Sequence, residues 1–487
     1  MKLTLIFFIS FTLFASTPTI EDAPLEWLIT STLQEKIDDH GHLKTKDSLV
    51  KTILENINYD NVNDEIVLTS NKKTNELRTK LISFLQDNME KARNIDQQYL
   101  SWQKEDRKSA LSVKLYKINF KKKGFYYFNH IHTNISEDNS ELKWLKISPK
   151  QTYSLVESFL KRRRATGSVA FTDHDSDKAF DHVSHLSHDR LLPLRGVEWG
   201  GTTHMCLIDI KKDWDDLANG RNYKHEESVI RSRASGGFRI INHPNRKKPF
   251  PYTSWLDANG VEVWNTILEN SPFLFFKVKR SNNRDAFTQW KNALKSQKKY
   301  TALAGSDFHF TLPCLKERTL IYPVNFIPGE NKEQTRGHLF KGRSSFITRP
   351  TAPKLTLNAK FPTQNEWANM GDSVHGEGNL QVELIGDFSD TNKRIGGFCY
   401  NTVNKFYKLI TFWKKQRWEI RFYNMNNELI AKRGINPKWY SYKKHFKATI
   451  EMPIDKKNAI RAELWSINSK SRSVDLLGAT NPIYLNW

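Results

Sequence analysis

Cysteine is scarce in this chain of 487 residues. The three present, Cys206, Cys314 and Cys399, are scattered, which excludes a disulfide framework and a zinc knuckle. One disulfide in an oxidising compartment and three buried thiols both remain open readings. Long apolar runs are equally scarce: beyond the first residues no segment is apolar enough to cross a bilayer. There is no internal repeat and no composition of collagen, coiled coil or bulk disorder. Acidic residues are in deficit, 53 against 75 basic ones, for a net charge of +22. Such an excess concentrates anions, whether nucleic acid, phosphorylated metabolites, teichoic acid or anionic lipid heads. A generally lysine-rich surface gives the same number, and charge bears on partners more than on fold.

The one apolar run stands at the amino terminus. Lys2 precedes an uncharged stretch from Leu3 to Phe14, and the small residues Ala15, Ser16 and Thr17 follow. About a dozen residues are too few to span a bilayer but suit the core of an export signal. Residues 1–17 are therefore expected to be a signal peptide and the protein to be secreted or periplasmic, without a transmembrane anchor. No cysteine lies nearby for lipid attachment. A chain of this length predicts two or three domains. Residues 18–120 read as a helical packing or partner module: Leu77, Leu81, Leu85 and Met89 recur every four residues, and Leu49, Val50, Ile53, Leu54 and Ile57 suggest another helix.

The texture changes over residues 121–350. An aromatic strand, Phe125 to Phe128, ends in His130-Ile131-His132. Ser148-Pro149 reads as an N-cap followed by proline at the first helical position, with Tyr153, Val156, Phe159 and Leu160 on one face. Ser168 to Phe171 ends in Thr172-Asp173-His174, Leu192 to Val197 in Glu198, Phe238 to Ile241 in Asn242-His243, and Tyr300 to Ala304 in Gly305-Ser306-Asp307-Phe308-His309. Strands alternating with helices predict an α/β fold with a parallel sheet. In such a fold the carboxyl ends of the strands share one face, where sites are built. Two imidazoles at i and i+2 on a strand project to the same side. Imidazole nitrogens suit zinc, iron, nickel or cobalt, and added carboxylates admit manganese. One His-x-His pair is weak evidence, but so many ligand types at strand ends are poorly explained by packing, because a buried charge there must be paired, metal-bound or solvated. Residues 351–487 read as short strands, among them Lys354 to Leu357, Leu380 to Ile385, Phe406 to Phe412, Trp418 to Tyr423, Phe446 to Glu451 and Ile460 to Trp465. They predict an antiparallel β-sandwich.

His130-x-His132-Thr133, Thr172-Asp173-His174-Asp175, Gly196-Val197-Glu198, Asn242-His243-Pro244, Gly260-Val261-Glu262-Val263-Trp264-Asn265 and Gly305-Ser306-Asp307-Phe308-His309, in this order, resemble the PHP (polymerase and histidinol phosphatase) superfamily over residues 125–349. Leu339 to Thr348 and the β-rich tail resemble, more loosely, its secreted CehA/McbA-like branch. The resemblance implies a distorted, TIM-like (β/α)7 barrel holding two or three divalent ions, zinc, manganese or iron. It implies that His130, His132, Glu198 and Asp307 hold one ion, that Glu198 bridges to another held by His204 and His243, and that His174 and His309 belong to a third. Glu137 stands where the family has another ligand of that third site. The implied activity is phosphomonoester or phosphodiester hydrolysis, in which two ions about 3.5–4 Å apart activate water. Carbamate, amide or carboxylic-ester hydrolysis on the same metals is the alternative, and a non-catalytic binder of a surface polymer is the alternative outside enzymes. Glu198, Asp173 and Asp307 are the catalytic candidates; Asp173, Asp175 and a bound water compete for the general-acid role. Arg246 and Lys247, beside His243, are the candidates for holding an anionic substrate. Nucleic acid is a sub-case that strong salt dependence would reveal.

Other residues carry a plainer reading beside the functional one. His182, His185 and His188 have the spacing of a helical face and read as solvated surface or as a patch at the pocket rim. Lys161 to Arg164 complement a helix dipole rather than a nucleic acid. The tryptophans of the tail read as core before they read as a glycan-binding face. The amino-terminal reading is tested by expressing the full chain in a secreting host and sequencing the released protein. Its first residue is expected near position 18, and a product retaining Lys2 would contradict the signal.

Overall fold

The computed structural model describes residues 28, 32, 46–60, 65–68, 75–84, 86, 111–119, 123–136, 147–186, 189–199, 204–210, 236–244, 258–265, 281–308, 320–389, 416–436, 445–454, 457–468 and 474–487. The expected signal lies outside them. Of the region read as helical, the described part holds α1 (Ser48–Asn56), with Val50 and Ile53 buried, and a helix over 75–84, with Leu77 and Leu81 buried. Ile57, placed by periodicity on the first helix, instead opens a hairpin of β1 (Ile57–Asp60) and β2 (Glu65–Leu68). Leu85 and Met89 fall outside the described residues.

The strands that carry the histidines form a curled, mixed sheet. After β3 (Lys114–Ile118), which belongs to another sheet, they are in chain order β4 (Gly124–Ile131), β5 (Gly167–Phe171), β6 (Leu191–Trp199), β7 (Met205–Ile208), β8 (Phe238–Ile241), β9 (Gly260–Asn265) and β10 (Thr301–Gly305). They lie side by side in sequence order from β4 to β10. Pairs β4–β5, β5–β6, β8–β9 and β9–β10 are parallel, while β7 runs antiparallel to both β6 and β8. β5, β9 and β10 are buried along their whole length, as strands covered on both faces must be. The helix before β5 forms as its capping residues predict: in α2 (Pro149–Arg163) the Ser148 hydroxyl accepts from the Gln151 backbone and the Gln151 side chain answers it. Its basic last turn is not wholly solvated, however. Arg163 is buried with its guanidinium 3.8 Å from the Phe159 ring centre, a contact its planar cation favours. A second helix, α3 (Ser281–Lys295), precedes β10 and packs Phe287 and Trp290 inward.

The curl brings β10 back beside β4. Ser306 N donates to Asn129 O, Asp307 N to His130 O and His132 N to Phe308 O, at 3.2, 2.7 and 2.9 Å. Deeper in, the buried amide of Asn325 accepts from Ala304 N at 2.8 Å and donates to Ala304 O and Tyr127 O. Asn325 belongs to β11 (Val324–Pro328), antiparallel to β4. α4 (Thr335–Lys341) follows, and then β12 (Ser345–Ile347), antiparallel to β11.

The β-rich tail divides its strands between two sheets. It adds β13 (Lys354–Lys360), β14 (Ala368–Asn369), β15 (Ser373–Val374), β16 (Gly378–Asp387), β17 (Gln416–Asn424), β18 (Leu429–Ile435), β19 (His445–Ile454), β20 (Asn458–Asn468), β21 (Val474–Thr480) and β22 (Ile483–Leu485). The curled sheet continues through β11, β12 and β21 into β20, β17 and β18. A five-stranded antiparallel sheet, ordered β14-β13-β16-β19-β3, packs beside it. Its edge strand β3 comes from the stretch read as helical and pairs with β19. One hydrophobic cluster joins Phe128 and Phe159 with Leu357, Ile420 and Phe446, so both regions share a core. Trp418 and Trp465 are buried in it or its neighbour, as the core reading expects of them, while Trp367 is exposed. The run Phe406 to Phe412 lies outside the described residues.

Replacing Asn325 with Ala removes the partner of three buried backbone groups. It is expected to destabilise the chain by about 1–3 kcal/mol per group left unsatisfied and not refilled by water. A melting temperature equal to wild type would show that Asn325 does not tie β10 to β4.

Candidate metal centre

Five histidines and one glutamate meet on the inner side of this curl. His130 and His132 come from the end of β4, His174 from the loop after β5, Glu198 from β6, His204 from the turn into β7 and His243 from the loop after β8. Successive imidazole rings stand 5.2 Å apart from His130 to His132, 4.5 Å from His132 to His174 and 5.2 Å from His174 to His204. The circle closes at 5.2 Å from His204 to His243 and 5.6 Å from His243 to His130. Glu198 lies within this ring. Its Oε1 is 3.0 Å from His130 Nε2, 3.1 Å from His204 Nδ1 and 3.3 Å from His243 Nε2. Its Oε2 is 3.2 Å from His132 Nε2 and 3.1 Å from His174 Nδ1. Asp307, beyond β10, adds an oxygen 3.3 Å from His130 Nε2 and 3.5 Å from His132 Nε2. All of these side chains are buried.

Backbone geometry explains how residues so far apart in sequence arrive together. His130, Asp307 and His243 adopt φ of +58°, +49° and +27°, where side chains other than glycine sit at a cost of about 1–3 kcal/mol each. Main-chain bonds hold them there. Besides those joining β10 to β4, Glu198 N donates to Asp173 O, Asp175 N to Glu198 O and Asn242 N to His204 O. Asp173, a catalytic and general-acid candidate from the sequence, accepts from the Thr133 backbone at 2.5 Å and from the Thr133 hydroxyl. It thus anchors the loop that leaves His132. Ser136 acts similarly, its hydroxyl lying 3.1 Å from His132 Nδ1 and accepting from His174 N.

Two donor groups emerge within this arrangement. His130, His132, Glu198 and Asp307 form one, and His174, Glu198 and His204 the other, each with ligand atoms within 4.8 Å of one another. Two donors on a tetrahedral ion at about 2.1 Å stand roughly 3.4 Å apart, and the imidazole nitrogens here stand 3.0 to 3.5 Å from the carboxylate oxygens. Glu198 Oε2 is buried and accepts no hydrogen bond of good geometry. An oxygen so placed suits a cation better than the edge of an imidazole. Mixed nitrogen and carboxylate donors fit zinc, manganese or iron. Divalent ions could therefore be held at either group.

The first group has the membership expected for the first ion. His174, assigned by resemblance to a third ion, stands with Glu198 and His204 of the second. His243, expected at the second, touches the same Glu198 oxygen. Glu137 and His309, the other residues of the third site, and the substrate candidates Arg246 and Lys247 lie outside the described residues, as do His188, Cys314 and Cys399. His182 and His185 are exposed, matching the surface reading. Asp175 is buried beside the site. Glu262, Asn265 and Asn242 escaped selection as site residues. Asn242 donates to Glu198 Oε1 at 2.6 Å and to Cys206 Sγ at 3.0 Å. Glu262 had a legible signal: a charge centred in Gly260–Asn265, a strand otherwise apolar enough to be buried throughout.

Charge stabilises the centre when no ion is bound. Burial disfavours the His130 imidazolium, yet Asp307, Glu198 and Glu262 together hold its pKa well above the usual 6.5. Burial likewise opposes a charged His132, and the adjacent carboxylates of Asp307 and Glu198 raise it nonetheless. Burial alone would raise Glu198; His130, His204 and His174 instead hold it well below the usual carboxylate range. Burial pushes the Cys206 thiol up to about 12, against the pull of His130, so it stays neutral. Comparisons with protein-family models, curated proteins and solved structures returned no match to this chain.

A cation entering this centre must displace protons from His130 and His132. Because their pKa values are raised, protons compete even above pH 6.5. Apparent zinc affinity is therefore expected to keep climbing as pH rises past that value, with protons released on binding. Calorimetry in buffers of different ionisation enthalpy measures both, and pH-independent uptake without proton release would contradict the assignment.

Proposed function

We propose that this chain is an exported, metal-dependent hydrolase of the PHP type that cleaves a phosphoester. The observation that carries this reading is the closed ring of five imidazoles around one buried carboxylate, at the ends of five neighbouring strands of the curled sheet, β4 to β8. Packing offers no reason to bury so many titratable groups with their nitrogens converging on one carboxylate, since each carries a desolvation cost that only a shared cation or protons would offset. The seven strands β4 to β10, bridged at their ends, support a distorted (β/α)7 barrel as the scaffold. The low helix content among the described residues and the antiparallel β7 depart from a regular one.

Two divalent ions at the two groups would supply a lowered pKa for bound water and would offset charge developing on substrate oxygens. The chain's own residues supply the rest. Glu198 is common to both groups and would keep the ions adjacent. Asp307 places a second carboxylate on the first. Asp173 and Ser136 hold the loop that carries His132 and thereby fix the imidazole spacing. Two divalent ions would outweigh the negative charges of Glu198, Asp307 and Glu262, leaving a positive centre in a chain of net charge +22. That balance favours an anionic phosphoester over a neutral ester, amide or carbamate. Arg246 and Lys247 follow His243 closely in the chain and are the proposed contacts for the phosphoryl group.

The test is metal content by plasma mass spectrometry on purified protein, run beside hydrolysis of chromogenic phosphomonoester, phosphodiester, carboxylic-ester and carbamate substrates. Two or three ions per chain are expected, with phosphoester turnover that Glu198→Gln lowers at least 100-fold. Turnover of the ester or carbamate alone would move the substrate class. Protein that stays metal-free and inactive after reconstitution with zinc, manganese or iron would leave a binding protein.

A further inference from the structure

We infer that Glu262 is a positioning residue of this centre, setting which nitrogen of His130 faces the ions and clamping together the loops that follow β4, β8 and β10. The inference rests on the metal reading above and goes beyond it. Both oxygens of Glu262 are committed away from the donor groups. Oε1 lies 2.9 Å from His130 Nδ1. A carboxylate oxygen accepts, so Nδ1 keeps its hydrogen, and Nε2 is the nitrogen that gives up its proton to face an ion beside Glu198 and Asp307. Oε2 accepts from the backbone of His243 at 2.9 Å and from Asn265 Nδ2 at 3.0 Å. The same Asn265 amide donates to Asp307 Oδ2 at 3.0 Å. One carboxylate and one amide thus reach three candidate ligands, His130, His243 and Asp307, and these are the ligand residues with positive φ. Asn265 is itself fixed, its backbone exchanging hydrogen bonds with the Asn283 side chain on α3.

The neighbouring strand makes room for this arrangement. A Cβ at Gly305 on β10 would stand 1.9 Å from Glu262 Oε1 and 2.7 Å from His130 Cβ. Any side chain there would push the carboxylate off the imidazole. Gly305 has no positive φ to explain it, so the space above Glu262 is what the glycine provides. A carboxylate behind a metal-bound imidazole raises the basicity of the ring and fixes its orientation, and loss of such a partner typically weakens metal binding about 10- to 100-fold.

The experiment uses the full chain stripped of metal and titrated with cobalt(II), followed by visible absorption. Wild type, Glu262→Gln and Gly305→Ala are compared, with circular dichroism as the control for folding. The amide of Gln cannot accept from His130, His243 and Asn265 together, and the added methyl of Gly305→Ala displaces the carboxylate without removing it. Either variant is expected to bind one cobalt ion about 10- to 100-fold more weakly, while the ion held by His174 and His204 binds within about threefold of wild type. Histidine-selective 15N spectra of the zinc-loaded protein are expected to show His130 protonated at Nδ1 in wild type and altered in Glu262→Gln. Variants that fold and bind both ions like wild type, or a His130 protonated at Nε2, would overturn the inference. Wild-type protein that takes up no cobalt would overturn the metal reading instead, and the His130 tautomer, read above its raised titration range, would then decide the role of Glu262.

Discussion

A desolvated carboxylate is the constraint around which this protein is arranged. Glu198 is buried on β6 with no access to water, and a bare ion in that position would cost several kcal/mol. Positive charge must therefore reach it from several sides. His130 and His132 reach it from β4, His174 from the loop after β5, His204 from the turn into β7 and His243 from the loop after β8. Protons on the imidazoles can supply that charge, and so can a cation held between them. Both lower the same electrostatic cost, which is why the centre must exchange one for the other.

Bringing donors from so many strands to one point requires a sheet that curls, and the curl has its own requirements. β10 returns to β4, and the two are joined by main-chain bonds at their carboxyl ends and by the Asn325 amide below. The ligand residues at that seam carry the backbone strain. The bonds that hold His130 and Asp307 in left-handed conformations are also the bonds that join the sheet ends. Strain is tolerated at such places only when surrounding structure over-determines it. The continuous core that runs from β4 and α2 into the carboxyl-terminal strands supplies that surrounding structure, so the tail supports the site without contributing a ligand among the described residues.

Much of the scaffold was legible from short-range chemistry. Ser148 and Pro149 announce α2, and their capping bonds are present. The strands ending at His130, His174, His243 and Asp307 were readable because each is an apolar run that stops at a polar ligand type. What periodicity could not reveal were the elements whose character depends on partners. Ile57 continues a helical stripe yet pairs in a hairpin. Lys114–Ile118 is exposed on most of its length and becomes a strand because β19 offers its edge. Met205–Ile208 is too short to declare itself, and it reverses the sheet direction next to Glu198. Arg163 belongs to a basic run that reads as complementing the helix dipole, but it lies against Phe159.

The sequence by itself determined the inventory of the site: which imidazoles and carboxylates exist, and that they stand at the ends of strands, because alternation along a strand and the turn after it are local properties of the backbone. Only the tertiary structure decided how that inventory is shared. His174 joins Glu198 and His204, Asp173 serves Thr133, and Glu262 stands behind His130. Those assignments depend on the direction in which strands approach one another, on the antiparallel β7 and on the empty space at Gly305. They are contacts between separate strands, 40 residues apart from Asp173 to Thr133 and 132 from Glu262 to His130, and no pattern along the chain encodes them.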